Sequence, residues 1–200
     1  LPELAALCAT SEGMTPILAN DIKPEVFRHL LYYVYGGEIS EEEFKIHSKD
    51  LINAADKYGV TNLKLEAEVW YVQHTEITLD NVIDNLLYAD AMNCALLKET
   101  VMDYLVENDI EAANTNKISF EDFPGHVVKD LLVATARSKR EYKMGVDNKN
   151  SNKDVAGDLN TMRVSELRKW LQEKGLDVDG SREAMIETLR KSVHESVDES

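Results

Sequence analysis

The stretch "DIKPEVFRHLLYYVYGGEI" at residues 21–39 decides the fold class of the first part of the chain. Pro24 suits the first turn of a helix, and Glu25 places a negative charge at the positive end of the helix dipole. Apolar side chains then recur at helical spacing up to Gly36 and Gly37, which accept the left-handed backbone that ends a helix. The stretch therefore predicts a capped helix, and the short apolar run at 15–18 before it predicts an edge strand.

The same pattern recurs downstream. Apolar positions at helical spacing occupy residues 51–58, 63–70, 82–87, 97–105 and 127–132, with Gly59 at the end of the first segment and Thr61 and Thr78 at expected helix starts. Connections of only a few residues between short helices are typical of a compact helical array. We expect one core to be shared by the inward residues of the first helices: Phe27, Leu30, Leu51, Ala55 and Trp70.

Charge is unevenly distributed along the 200 residues, whose formal net charge is −15. Residues 1–136 carry 24 acidic and 9 basic side chains, residues 137–157 are net +3, residues 158–192 are neutral and residues 193–200 are net −3. An acidic body repels nucleic acid and anionic membranes, so any contact with nucleic acid is confined to the C-terminal quarter. Two distant cysteines indicate a reducing compartment, and we expect an intracellular protein of the nucleus, the cytoplasm or both.

Catalytic and metal-binding patterns receive little support from the sequence. The five histidines are scattered without an HExxH or Cys/His spacing, and the acidic run 41–43 lacks the spacing of oxygen ligands. Cys8 is best interpreted as a structural thiol. The sequence predicts no catalytic residue, no metal site, no cofactor and no small-molecule substrate.

Three segments carry a family resemblance. Residues 21–27, 32–37 and 50–59, followed by Leu63 and Lys64, resemble the C-terminal part of a BTB/POZ domain, with speckle-type POZ proteins as the nearest likeness. The following helices resemble the three-box and BACK-like extension of those proteins. The resemblance implies a mainly α fold with minor β, in which 1–73 is a partial BTB/POZ domain and 74–137 its helical extension. The family's first strands and helix, which build most of its dimer interface, would precede residue 1, so dimerisation stays open.

The resemblance also implies a function, that of a non-enzymatic adaptor that docks on a cullin-3-type scaffold of a ubiquitin ligase or on another BTB chain. Aromatic side chains dominate interface hot spots. Four tyrosines are therefore candidates for the contact with a protein partner: Tyr32, Tyr33, Tyr35 and Tyr88. The alternative is that they are half-buried helix tyrosines that cover the core. The family's cullin-contact motif, a hydrophobic residue, any residue and Glu, is only half matched at 10–12 and at 14–16.

The C-terminal quarter differs in composition. Residues 138–157 are polar and predict a linker. Residues 158–192 predict two short helices around a turn at 175–180 and resemble a SAP domain over its whole length, while 193–200 form an acidic tail. The apolar positions that define the two helices are Val164, Leu167, Trp170, Leu171, Met185, Ile186 and Leu189.

A SAP domain implies binding to DNA, often A·T-rich. Gly180, Ser181 and Arg182 open the second helix, where a phosphate can approach free backbone N–H groups. Supporting contacts are expected from four further cations: Arg163, Arg168, Lys169 and Lys174. The alternatives are a hairpin for protein contact and, for the whole chain, a nucleic-acid-associated scaffold whose BTB-like part serves only oligomerisation.

Overall fold

The computed structural model of the chain describes residues 22–108, 123–147 and 159–198. The described residues form eight α-helices and no strand, which confirms the mainly α fold class. The edge strand predicted at 15–18 lies outside the described residues. The helices are α1 (Pro24–Val34), α2 (Glu41–Tyr58), α3 (Thr61–His74), α4 (Val82–Ala91), α5 (Ala95–Glu107), α6 (Gly125–Asp147), α7 (Val164–Glu173) and α8 (Arg182–Asp198).

The chain divides into two compact units between Glu76 and Ile77, three residues from the predicted end of the BTB/POZ segment. Each unit has its own buried apolar residues. Within the described ranges, no helix combines the length and the apolar character that crossing a membrane requires.

The first unit is built from α1, α2 and α3, with α2 packed against both neighbours. Leu30, Leu51 and Ala55 are fully buried, as the apolar pattern predicts. Phe27 and Trp70 are only half buried and lie at the margin of this core. The ring of Phe27 meets that of Tyr58 edge-on at 5.7 Å, and Trp70 stacks on buried Phe44 at 5.8 Å.

Four helices end in the same hydrogen-bonded turn. Asn93 after α4 is left-handed with φ 52°, and the N–H of Cys94 donates to the carbonyl of Ala89 at 2.8 Å. This bond between residues five apart marks a Schellman turn, which satisfies a carbonyl that the helix leaves unpaired. The three other helices of this kind end on the glycines that the sequence predicts as helix ends: Gly36, Gly59 and Gly175, at φ 86°, 66° and 68°.

The second unit begins with α4, α5 and α6. The last of these runs to Asp147, so residues 138–147 are helical where the composition predicts a linker. Residues 148–157 lie outside the described residues. The buried face of α6 carries Val127, Leu131 and Ala134, whereas Leu132, predicted on the same apolar face, is exposed.

The two C-terminal helices pack around one apolar cluster that matches the predicted positions: Val164, Leu167, Leu171, Met185, Ile186 and Leu189. Ala95 of α5 belongs to the same cluster, and Leu96 packs against it. The C-terminal helices therefore share a core with the helical extension rather than forming a separate tethered module.

Candidate protein and nucleic-acid interfaces

The C-terminal end of α1 carries an exposed aromatic surface. Tyr32 is 57% exposed and Tyr35 is 87% exposed. The ring of Tyr32 lies directly on the backbone of Gly37, because a Cβ at Gly37 would be only 2.4 Å from that ring. The turn after α1 thus fixes the ring of Tyr32 and leaves the ring of Tyr35 exposed to solvent. Exposed aromatic side chains of this kind suit contact with another protein.

The other two candidate tyrosines are engaged within their own units. Tyr33 is half buried, and burial together with a hydrogen bond to the nearby Glu66 carboxylate raises the pKa of its phenol. Tyr88 on α4 is half buried and also interacts with another group of the chain. The four candidates therefore separate into an exposed pair at the end of α1 and a half-buried pair.

The cations predicted to contact nucleic acid also separate into two groups. Lys169 on α7 and Lys174 just after it are exposed to solvent, whereas Arg168 is half buried. Arg163, which precedes α7, forms an ion pair with Asp103 of α5. The two lysines are thus the members of the predicted set that solvent reaches most freely.

Side chains at the start of α8 form hydrogen bonds within the C-terminal helical pair. The hydroxyl of Ser181 accepts a hydrogen bond from the N–H of Ala184 at 3.3 Å. The guanidinium of Arg182 donates to the carbonyls of Asn160 at 2.7 Å and Met162 at 2.8 Å. Arg182 therefore ties the chain before α7 to the beginning of α8.

A buried carboxylate anchors α7 to the extension. Glu99 of α5 is 8% exposed, and its carboxylate accepts from the N–H of Val164, the first residue of α7, at 3.2 Å. A negative charge is favoured at a helix N-terminus, where backbone N–H groups lack partners within the helix. Together with the Arg163–Asp103 pair, this contact fixes the start of α7 on α5.

The predicted phosphate-binding end of α8 faces this extension. Ser181 lines a cleft with residues from the end of α4 and the start of α5, among them Asp90 and Lys98. Arg182 lines a second cleft with Glu99 and Asp130. Carboxylates border both clefts, and Lys98, which also lines both, is already paired with Asp90 and Asp130, so the surroundings are unfavourable for a phosphate.

A charge network links the helices of the extension. The ammonium of Lys98 donates to Asp90 at 2.8 Å and to Asp130 at 2.6 Å, and His126 lies 2.7 Å from the other oxygen of Asp90. Burial opposes charge on both Lys98 and Asp90, but these hydrogen bonds outweigh it, so the pKa of Lys98 is raised and that of Asp90 is lowered. The sequence gives no sign of this network, because its members lie on three different helices.

Comparison with known proteins agrees with both resemblances. The family model for the BTB/POZ domain matches residues 5–69, and that for the SAP domain matches residues 158–194. "TD and POZ domain-containing protein 1-like" from Mus musculus is 26% identical over 130 residues, which are 64% of this chain and 35% of the relative. "BTB/POZ and MATH domain-containing protein 4" from Arabidopsis thaliana is 28% identical over 155 residues, 70% of this chain and 33% of the relative.

The two matched families are families of interaction domains rather than of catalysts. The chain combines a BTB/POZ segment with a C-terminal SAP domain, and its relatives are POZ-domain proteins. It spans about a third of the length of the curated relatives it matches.

Proposed function

We propose that the chain is a non-enzymatic adaptor of the cell interior, in the nucleus, the cytoplasm or both, which joins a protein partner to nucleic acid. The BTB/POZ segment supplies the protein contact, and the SAP domain supplies the nucleic-acid contact. The observation that carries the proposal is the exposed aromatic end of α1, which lies inside the matched BTB/POZ segment.

The proposed protein partner is the N-terminal domain of a cullin-3-type scaffold. Tyr35 and Tyr32 offer large, rigid apolar surface at low cost in conformational entropy, which is the usual composition of an interface hot spot. The half-buried Tyr33 then supports this surface rather than forming its centre, whereas Tyr88 belongs to the second unit.

A pull-down of the full chain with the N-terminal cullin domain tests this assignment. Tyr35→Ser should weaken binding by about tenfold or more, as expected for a central aromatic. Ile46→Ala is the matched control, because Ile46 is an exposed apolar residue of the same unit and its truncation should leave binding unchanged. Equal binding by Tyr35→Ser and the native chain would contradict the assignment. No cullin binding together with a dimer in light scattering would favour a scaffold that uses the BTB/POZ segment only to oligomerise.

The proposed nucleic-acid contact uses Lys169 and Lys174. Both are exposed, whereas Arg163 and Arg182 make contacts within the second unit. Phosphate contacts dominate affinity for DNA and carry no sequence information. We therefore expect weak binding to duplex DNA with little dependence on its sequence, and Gly180 and Ser181 act mainly in forming the start of α8.

A fluorescence titration of the full chain with an A·T-rich duplex at low salt tests this contact. The expected dissociation constant lies in the non-specific range of ~10⁻⁴–10⁻⁶ M. The double variant Lys169→Glu, Lys174→Glu should weaken binding strongly, while Lys45→Glu, Lys129→Glu, at two exposed lysines of α2 and α6, makes the matched charge change elsewhere. If both double variants bind alike, Lys169 and Lys174 are not the contact, and if the native chain does not bind, the SAP domain serves protein contact.

A further inference from the structure

Two histidines and two glutamates that are far apart in sequence meet between α1 and α2. Each helix carries the pair Glu-x-x-x-His: Glu25 with His29 on α1, and Glu43 with His47 on α2. Residues four apart lie on the same face of a helix. The packing of α1 on α2 therefore brings two such pairs together.

The donor atoms of this cluster are close enough to share one ion. His29 Nε2 lies 3.1 Å and His47 Nε2 3.7 Å from Glu43 Oε2. The ligand atoms of these three residues all lie within 4.8 Å of one another. Glu25 Oε2 is 3.9 Å from His47 Nε2. Ligands on a tetrahedral zinc ion with bonds of ~2.0–2.1 Å stand about 3.3 Å apart, so small rotations of these side chains suffice.

The charge of the cluster also favours a cation. Among the described residues, neither glutamate forms an ion pair with a lysine or arginine, and the nearby Lys23 is paired with Asp50. The side chain of His47 is only 13% exposed, and its Nδ1 is buried without a hydrogen-bond partner. His47 therefore presents Nε2, the nitrogen that faces both glutamates, as its ligand atom.

We propose that His29, His47 and Glu43 bind a divalent zinc ion between α1 and α2, with Glu25 or water as the fourth ligand. Two imidazoles and a carboxylate are a donor set that zinc commonly takes. The side chains of His29 and Glu43 are 20% and 40% exposed, which gives the ion a route from solvent. Bound zinc would clamp α1, whose far end carries the exposed tyrosines, to the core helix α2.

Titration of the full chain with Co²⁺ as a visible probe tests the site. One equivalent should bind with the intense ligand-field bands of four-coordinate cobalt, and Zn²⁺ should displace it, because zinc has no d-electron geometric preference to lose in a tetrahedral site. Glu43→Gln keeps the shape of a partly exposed side chain and should weaken cobalt binding at least about tenfold. Mutation of a residue that only hydrogen-bonds to a metal ligand already lowers metal affinity by that factor. His47→Asn should do the same.

His74→Asn is the matched control, because His74 lies on α3 of the same unit outside the cluster. That variant should bind cobalt like the native chain. Thermal melting with and without Zn²⁺ provides a second readout: zinc should raise the melting temperature of the native chain and of His74→Asn, but not that of Glu43→Gln. Failure of the native chain to take up one equivalent, or equal binding by Glu43→Gln and the native chain, would overturn the proposal.

Discussion

Replacement of Glu99 by alanine should loosen the SAP domain from the helical extension. Glu99 is buried on α5, and its carboxylate accepts from the N–H of Val164 at the start of α7. A hydrogen bond to a charged group contributes about 1.5–3 kcal/mol. The truncation also leaves that N–H without its acceptor, while relief of the desolvation of the carboxylate offsets part of the loss. We therefore expect a loss of about 2 kcal/mol in the free energy of unfolding, on the order of a 30-fold change in the equilibrium.

Urea unfolding monitored by tryptophan fluorescence measures this loss. The chain has two tryptophans, so a Trp70→Phe background leaves Trp170, which packs against the SAP core, as the reporter. For an m-value near 2 kcal/mol/M, a loss of about 2 kcal/mol shifts the midpoint by about 1 M. Glu99→Gln keeps a neutral acceptor and should lose roughly half as much.

The matched control is Glu107→Ala, which removes the same charge from an exposed position at the end of α5. It should change the free energy of unfolding by less than about 0.5 kcal/mol, as surface substitutions do. Equal midpoints for Glu99→Ala and Glu107→Ala would refute the role of the buried contact. A separate transition of the SAP helices in the native chain would refute the core that they share with α5.

Three further outcomes follow from the fold and the charge network. Leu30→Ala should lower the free energy of unfolding in urea by about 2–5 kcal/mol because Leu30 is fully buried. Phe27→Ala should lower it by less than truncation of a buried phenylalanine would, since Phe27 is half exposed. Equal stability of Leu30→Ala and the native chain would contradict the core assignment. The Lys98 network should stabilise the second unit across neutral pH, with its contribution lost below about pH 4, as pH falls through the lowered pKa of Asp90, and above about pH 10.4, as pH rises through the raised pKa of Lys98. Melting temperatures against pH check this, and a Lys98→Met variant with the same acid limb would contradict it. Asn93→Val should cost roughly 1–2 kcal/mol because a β-branched residue is strained at positive φ, whereas Asn93→Gly should be neutral or slightly stabilising in the same urea assay.

Features set by neighbouring residues could be predicted from the sequence. The glycines that end α1, α2 and α7 and the buried stripes of the helices follow from local spacing, since each depends on residues within one or two turns. Asn93 was missed because asparagine adopts the left-handed conformation less often than glycine. The helical stretch 138–147 was missed because its polar residues indicate a linker, yet Lys, Arg, Glu and Met are all good helix formers.

Contacts between helices could not be predicted from spacing. Lys98 meets Asp130 across 32 positions, and Arg163 meets Asp103 across 60. His29 and His47 appear scattered along the sequence, and only the packing of α1 on α2 places them together. The division of the predicted DNA-binding cations into exposed lysines and engaged arginines has the same origin, because Arg163 meets Asp103 of α5 and Arg182 meets the chain before α7.

That division makes the salt dependence of DNA binding a direct count of the cations in use. Each phosphate neutralised on duplex DNA contributes about −0.9 to the slope of log affinity against log salt. If Lys169 and Lys174 alone make contact, the slope should be about −2. If the SAP domain leaves α5 on binding, Arg163 loses its ion pair with Asp103 and can join the two lysines, so the slope should approach about −2.7. The titration of the full chain at several salt concentrations separates these values, and Glu99→Ala should move the slope toward the steeper one only if the contact to α5 restrains Arg163. A slope of about −2 in both proteins would mean that the SAP domain binds DNA in its docked position.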